Sequence, residues 1–331
     1  GLMAASLLLN LLAWQQLGWV LPLAASLLLP PLLLAGHLVL AYRRANGARR
    51  QLAQLFGQYV PPELVDEMSR SPERYGMVSR NATLTVLFAD VSGFTATAQR
   101  MPPAELGAMM NLLFSHLTDV VRDHRGTLDK YIGDALMAFW GAPLDDPDHA
   151  RHAVAAALAM QARLPAIHAE MAARGWPALR LNIGINTGTV VVGDMGSRHR
   201  RAYTVLGDAV NLAARLQAFS SQHGLGLVVG DATHAALGSL PCLPLGSLPV
   251  RGRDVPEPVW QPLSPPPDGP ADPAAVTAAW LRMQAAAQGG RPADAVALLE
   301  TLQHQPGLDA LCRWQREALQ TQAAAASGSA G

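Results

Sequence analysis

The sequence predicts an α+β fold: a ferredoxin-like split βαβ sheet preceded by a transmembrane helical hairpin and followed by a small helical hairpin. Three observations carry this. Short apolar β-like runs and amphipathic helical runs are interleaved between Asn81 and Gly252. Two of those runs, Thr127–Ile132 and Ala135–Trp140, are separated only by Gly133-Asp134, a turn that suits an antiparallel pair and not a parallel Rossmann array. Finally, no Asp, Glu, Lys or Arg occurs from Gly1 to Tyr42.

Trp19 to Tyr42 supplies the roughly 20 apolar residues that a membrane crossing needs. Leu2 to Trp14 reads as another crossing, cut short at the chain start, with Gln15, Gln16 and Gly18 as the turn between them. Residues 1–42 are therefore expected to hold about two transmembrane helices, and the absent initiator methionine leads to the expectation of an upstream portion. Arg43, Arg44, Arg49 and Arg50 follow at once, which by the positive-inside rule puts everything after Tyr42 in the cytoplasm. The alternative is a buried apolar hairpin of a soluble protein. Residues 43–80 read as a cytoplasmic helical connector, with Arg49 to Tyr59 helical and Pro61 and Pro62 closing it.

Within residues 81–262 strands are expected at Thr83–Asp90, Thr127–Ile132, Ala135–Trp140, Leu179–Asn186, Thr189–Gly193, Ala202–Leu206 and Leu225–Val229. The helix from Pro103 to His124 has apolar residues at Leu106, Met109, Met110, Leu113, Phe114, Leu117, Val120 and Val121, a 3.6-residue period ended by Gly126. Further helices are expected at about Asp148–Ala173 and Asp208–Phe219. Residues 263–272 are Pro-rich linker. Residues 273–322 give three Ala/Leu-rich helical stretches broken by Gly289-Gly290 and Pro306-Gly307, read as a helical hairpin, and the Ala/Ser/Gly tail 323–331 reads as disordered.

Twenty-five basic and 25 acidic residues leave a net charge of zero, so no electrostatic case exists for nucleic-acid binding. Two cysteines, Cys242 and Cys312, make neither a disulfide framework nor a metal cluster.

The chemistry-bearing residues fall in three stretches. In LFADVSGFT (Leu87 to Thr95), Asp90 ends an apolar strand, and Ser92-Gly93 lets backbone N–H groups face a phosphate at the next helix start. In LDKYIGDALMAFWG (Leu128 to Gly141), Lys130 precedes Asp134 by four residues. Two carboxylates at strand ends are the simplest device for holding a pair of divalent cations against a triphosphate. In YTVLGDAVNLAARL (Tyr203 to Leu216), Asn211 and Arg215 are spaced i, i+4 and share a helix face. An orienting amide beside a guanidinium fork suits a developing phosphoryl charge.

Each piece has a plainer reading. A lone Asp after a strand is a common turn residue, and Asn211 with Arg215 also reads as a solvated helix face. GINTGTVVVGDMG lacks the Gly-Lys-Ser/Thr of a phosphate loop and reads instead as strand–turn–strand with close backbone packing. DDPDHARH (Asp145 to His152) reads as a helix start capped by Asp148 in preference to a metal site.

Taken together, FGQYVPPELV, LFADVSGFT, GTLDKYIGDALMAFWG, INTGTVVVGDMGS and YTVLGDAVNLAAR resemble the catalytic domain of class III nucleotidyl cyclases, over roughly Phe56 to Pro258. The resemblance is to bacterial membrane cyclases with an upstream CHASE-type sensor. It implies an adenylyl cyclase in the cell inner membrane: multi-pass, in contact with the lipid bilayer, its catalytic domain cytoplasmic. Asp90 and Asp134, with the Val91 carbonyl, would hold two divalent cations (Mg²⁺ or Mn²⁺). Lys130 and Thr204 would read the purine of ATP; Lys with Thr is the adenine-type pairing, whereas guanylyl cyclases usually carry Glu and Cys there. Phe94, Thr95 and Arg253 would also contact substrate, with Arg251 the fallback for Arg253, both Arg where Lys is usual. Asn211 and Arg215 would stabilise the transition state.

In that fold the metal and purine residues of one chain face different sites, so the resemblance implies a head-to-tail homodimer. Each of two sites would take Asp90 and Asp134 from one protomer and Lys130, Thr204, Asn211 and Arg215 from the other. No side chain is assigned as general base. A guanylyl cyclase, a catalytically inactive nucleotide-sensing relay and a membrane scaffold are the competing readings.

Overall fold

The computed structural model describes residues 2–18, 31–40, 78–199, 201–249, 255–264, 269–270 and 272–328. The N-terminal unit contributes α1 (Leu2–Leu17) and a helical segment at 31–40. Among the described residues no helix is long and apolar enough to cross a membrane. The expectation of a multi-pass inner-membrane protein is thereby overturned. The 16 residues of α1 span about 24 Å, short of the roughly 30 Å of a bilayer core. The crossing expected over Trp19 to Tyr42 falls mostly outside the described residues, as do FGQYVPPELV and most of the connector at 43–80.

The remaining elements run β1 (Arg80–Ser92), α2 (Phe94–Arg100), α3 (Pro103–Asp123), β2 (Thr127–Ile132), β3 (Ala135–Trp140), α4 (His149–Ala172), β4 (Arg180–Gly196), β5 (Arg201–Leu206), α5 (Asp208–His223), β6 (Leu227–Gly230), α6 (Asp231–Ala236), β7 (Cys242–Leu248), β8 (Glu257–Pro262), α7 (Pro273–Gln288), α8 (Pro292–Leu302) and α9 (Asp309–Gly328). The strands form one mixed sheet, ordered β2-β3-β1-β4-β6-β8-β7, with β5 pairing β4 off that path. Among the described residues only the β4–β6 pairing is parallel. This is the expected α+β sheet.

Alternation along the strands divides the residues between two faces. Leu87, Ala89 and Val91 of β1 and Leu181, Ile183 and Ile185 of β4 pack with α3 and α4 in the main core. On α3 the buried residues are Met109, Met110, Leu113, Leu117, Val120 and Val121, all within the predicted apolar stripe. The opposite face receives α5. A Cβ on Gly184 would lie 2.1 Å from Gln217 N and 2.5 Å from Ala213 O. Only glycine lets the α5 backbone approach β4 this closely.

Several details depart from the sequence reading: Gln15 and Gln16, expected in a turn, lie within α1, and α6 was not anticipated. The predicted strand–turn–strand over Leu179–Gly193 is one continuous 17-residue β4, paired with β1 from Arg180 to Val192 and with β5 from Val191 to Gly196. Strands β7 and β8 were not anticipated, because their prolines mask the pattern; Pro244 lies on β7, which ends the sheet order, where a missing N–H costs no ladder bond. The tail expected to be disordered from Ala323 continues α9 as far as Gly328, in keeping with the high helix propensity of alanine.

The C-terminal helices share a second core with the sheet. Leu212 and Leu216 of α5 and Val228, Leu243 and Val259 of the strands cluster with Val276, Trp280 and Met283 of α7, Leu299 of α8 and Leu311 of α9. At the bulge of β7, the Pro244 carbonyl accepts hydrogen bonds from Trp280 Nε1 and Gln284 Nε2, both at 2.8 Å.

Candidate active site

Asp90 lies one residue before the end of the β1 core positions, on the face that α5 covers. Its neighbour across the ladder is Asn182, whose side-chain amide donates to Ser92 Oγ. The pairing of β1 with β3 reaches Ala89 opposite Leu136, so the β2–β3 turn falls beside Asp90. Gly133, at φ 63°, makes that turn possible and sets Asp134 next to Asp90. From α5, Gln217 Nε2 donates to Asp90 Oδ2 at 3.2 Å.

Burial first, then repulsion from Asp134, pushes the Asp90 carboxyl above its usual range; the Val91 N–H and the Gln217 amide pull the other way. Two half-buried carboxylates that repel each other are a fitting donor set for a hard divalent cation, which would relieve the repulsion. Among the described residues no third His, Cys, Asp or Glu joins them. That pattern suits a cation held by one or two carboxylates and completed by substrate oxygens. Phe94, half-buried against the core, and exposed Thr95 open α2 directly after the Ser92-Gly93 turn.

A second cluster forms farther up β2. Lys130 Nζ donates to Thr204 Oγ1 at 3.2 Å, and Thr204 Oγ1 donates to Asp129 Oδ2 at 2.5 Å. Lys130 Nζ also lies 3.2 Å from Asp129 Oδ1, a charge contact without hydrogen-bond geometry. The ladder between β2 and β3 shifts register between Leu128 and Lys130, leaving Asp129 as the extra residue of a bulge. Such a bulge re-aims a side chain. Here it buries the Asp129 carboxylate completely while Lys130 remains 45% exposed. Burial raises the Asp129 carboxyl above its usual range, opposed by Thr204, Lys130 and the Val205 N–H.

Asn211 is exposed and Arg215 half-buried on α5. About 40° of helical rotation separates them, whereas Gln217 lies about 200° from Arg215. Since Gln217 reaches Asp90, the Asn211/Arg215 pair looks away from the carboxylates of its own chain. The structure thus brings Asp90 and Asp134 together, brings Lys130 and Thr204 together, and keeps Asn211 and Arg215 apart from the carboxylate pair. Arg251 and Arg253 lie outside the described residues.

Sequence reasoning missed Asp129 and Gln217. Asp129 carried one signal, a carboxylate inside a predicted strand between an apolar residue and a lysine; Gln217 carried none. In DDPDHARH, Asp148 occupies the N-cap of α4 without a side-chain cap bond, and Asp146 accepts from both Asp148 N and His152 Nδ1.

Residues 77–260 match the family model described as "Adenylate and Guanylate cyclase catalytic domain". The chain is 36% identical over 212 residues to Adenylate cyclase 1 of Rhizobium meliloti, a stretch that makes up 63% of this chain but 32% of that protein. It is 32% identical over 182 residues to an adenylate cyclase of Anabaena cylindrica, covering 52% of this chain and 35% of that one. The chain therefore spans about a third of the length of these relatives. The adenylyl cyclase CyaB from P. aeruginosa superimposes with a TM-score of 0.54 at 28% identity, over 58% of this chain and 98% of that one. The guanylyl cyclase Cya2 does so with a TM-score of 0.52 at 30% identity, over 57% and 96%.

Proposed function

Because the chain belongs to the family of adenylate and guanylate cyclase catalytic domains, we propose that its domain at 81–262 converts ATP into 3′,5′-cyclic AMP and pyrophosphate. General likeness does not choose the base, since an adenylyl and a guanylyl cyclase superimpose equally well. The observation that carries the adenine reading is the contact of Lys130 with Thr204 at 3.2 Å. Lysine can only donate, which suits adenine N1, and the threonine oxygen can accept from the 6-amino group. The adenylate cyclase names of the relatives from Rhizobium meliloti and Anabaena cylindrica point the same way.

Asp90, Asp134 and the Val91 carbonyl would hold two divalent cations, Mg²⁺ or Mn²⁺. When bound, such cations supply Lewis-acid activation of the ribose 3′-hydroxyl and neutralise triphosphate charge. The chain's own residues do the rest. The 3′-oxygen, its proton passing to solvent, attacks the α-phosphorus in line, forming the cyclic ester bond as the bond to the pyrophosphate oxygen breaks. Arg215 places a fixed cationic fork, and Asn211 an amide, where charge grows on the α-phosphoryl oxygens. Phe94 and Thr95 border the triphosphate, and Arg253 holds its distal end. Two copies assemble head to tail, so that each site draws Asp90 and Asp134 from one protomer and Lys130, Thr204, Asn211 and Arg215 from its partner. What supports this assembly is the opposed orientation of Gln217 and Arg215 on α5.

The test is purified protein with Mg²⁺ or Mn²⁺ and either ATP or GTP, with the product identified by mass. Cyclic AMP from ATP is the expected result. Predominant cyclic GMP would make the protein a guanylyl cyclase, and nucleotide binding without any cyclic product would make it a relay.

A further inference from the structure

A threonine hydroxyl is ambidextrous: it carries one proton to donate and two lone pairs to accept with. Facing a purine it could take the 6-amino group of adenine or, turned round, donate to O6 of guanine. Thr204 is not free in this way. Its proton is committed to Asp129 Oδ2 at 2.5 Å. Asp129 is fully buried, at the bulge of β2, and its other oxygen lies 3.2 Å from the Lys130 ammonium.

We propose that Asp129 is the positioning residue that sets base preference, by holding the only proton of Thr204 and the ammonium of Lys130. This rests on the cyclase reading above and deepens it. With its proton held inward, Thr204 presents only lone pairs to a nucleotide. Adenine's 6-amino group satisfies a lone pair; guanine's O6 meets it oxygen to oxygen. A site whose polar groups match one base rejects the other because they are left unpaired. In the substrate-free chain Lys130 fills one of those lone pairs at 3.2 Å. Its half-exposed side chain, with three donors on Nζ, can turn toward adenine N1 while staying beside the buried carboxylate. Asp129 touches no substrate in this scheme and acts through the two residues that do.

The experiment compares kcat/KM for ATP and GTP in wild type, Asp129→Asn, Asp129→Ala, Thr204→Val and the Asp129→Asn/Thr204→Val double variant. Competition of ATP and GTP against a fluorescent nucleotide serves as a second readout where turnover is lost. In Asp129→Asn the new amide can turn its NH₂ toward Thr204 and release the hydroxyl proton, and Asp129→Ala releases that proton outright. The ATP/GTP ratio is expected to fall by about fivefold in Asp129→Asn, the worth of one neutral hydrogen bond, and further in Asp129→Ala. With Thr204 already replaced by Val, the Asn exchange should change the ratio far less than it does alone. Should Asp129→Ala fail to fold, the isosteric Asn variant still decides the matter. A wild type that favours ATP with an unchanged ratio in the Asp129 variants overturns this inference and leaves the adenylyl reading standing. A wild type that favours GTP overturns both.

Discussion

Gln217, on α5, donates a hydrogen bond to Asp90, on β1, at 3.2 Å. That bond accompanies the packing of Ala209, Leu212, Ala213 and Leu216, which sets how α5 is turned over the sheet. This packing directs one side of the helix at the carboxylate pair and the other side, with Asn211 and Arg215, away from it. The close approach of α5 at Gly184 leaves the helix little freedom to rotate. One chain therefore presents the Asp90/Asp134 pair and the Asn211/Arg215 pair in different directions.

Removing either carboxylate should abolish turnover. Asp90→Ala and Asp134→Ala each delete a charged oxygen pair, not a core contact, since both residues are half-buried. Circular dichroism and the melting profile should remain close to wild type while product formation disappears. Wild-type-like rates in either variant would remove the two-cation reading.

Gln217→Leu tests the neighbour that sequence did not reveal. The amide favours the charged form of Asp90 and orients its oxygens. Without it the half-saturating concentration of Mg²⁺ or Mn²⁺ should rise by about tenfold, the usual cost of losing such a supporting bond. The rate at saturating cation should change little. An unaltered cation dependence would show that Gln217 only packs there.

Much of this was legible in the sequence, for identifiable physical reasons. The β2–β3 hairpin was readable because Gly133-Asp134 leaves room for nothing but a tight turn between two apolar runs. Asp90 and Asp134 stood out because carboxylates interrupt those runs at their ends. Other features were hidden. Thr187-Gly188 looked like a turn, yet β4 passes straight through, and the missing side chain at Gly188 makes room for Ala209. The burial of Asp129 depends on a bulge, and a one-residue shift of register breaks the alternation from which burial is inferred. A charge-free run of 42 residues suggested membrane helices, but among the described residues no helix within it is long and apolar enough to cross.

The C-terminal helices looked like an appendage beyond a linker, but Trp280 is fully buried in a core that they share with α5 and the sheet. Trp280→Ala should cost about 3–5 kcal/mol and lower the melting temperature of the sheet and the C-terminal helices together, in one transition. An early loss of helical signal with cyclase activity retained would mean that these helices are independent of the catalytic unit.

The claim that each site is built from two copies is tested most directly by mixing Asp90→Ala with Arg215→Ala. Each variant alone damages both sites of its homodimer and should be inactive. In a mixed dimer one site carries both lesions and the other carries neither. With equal amounts and free subunit exchange, half of the dimers are mixed and each has one intact site, so activity should return to about a quarter of wild type. Exchange can be verified with differently tagged copies. Recovery to that level is the result expected here; continued inactivity in a mixture shown to contain mixed dimers would contradict the shared-site architecture.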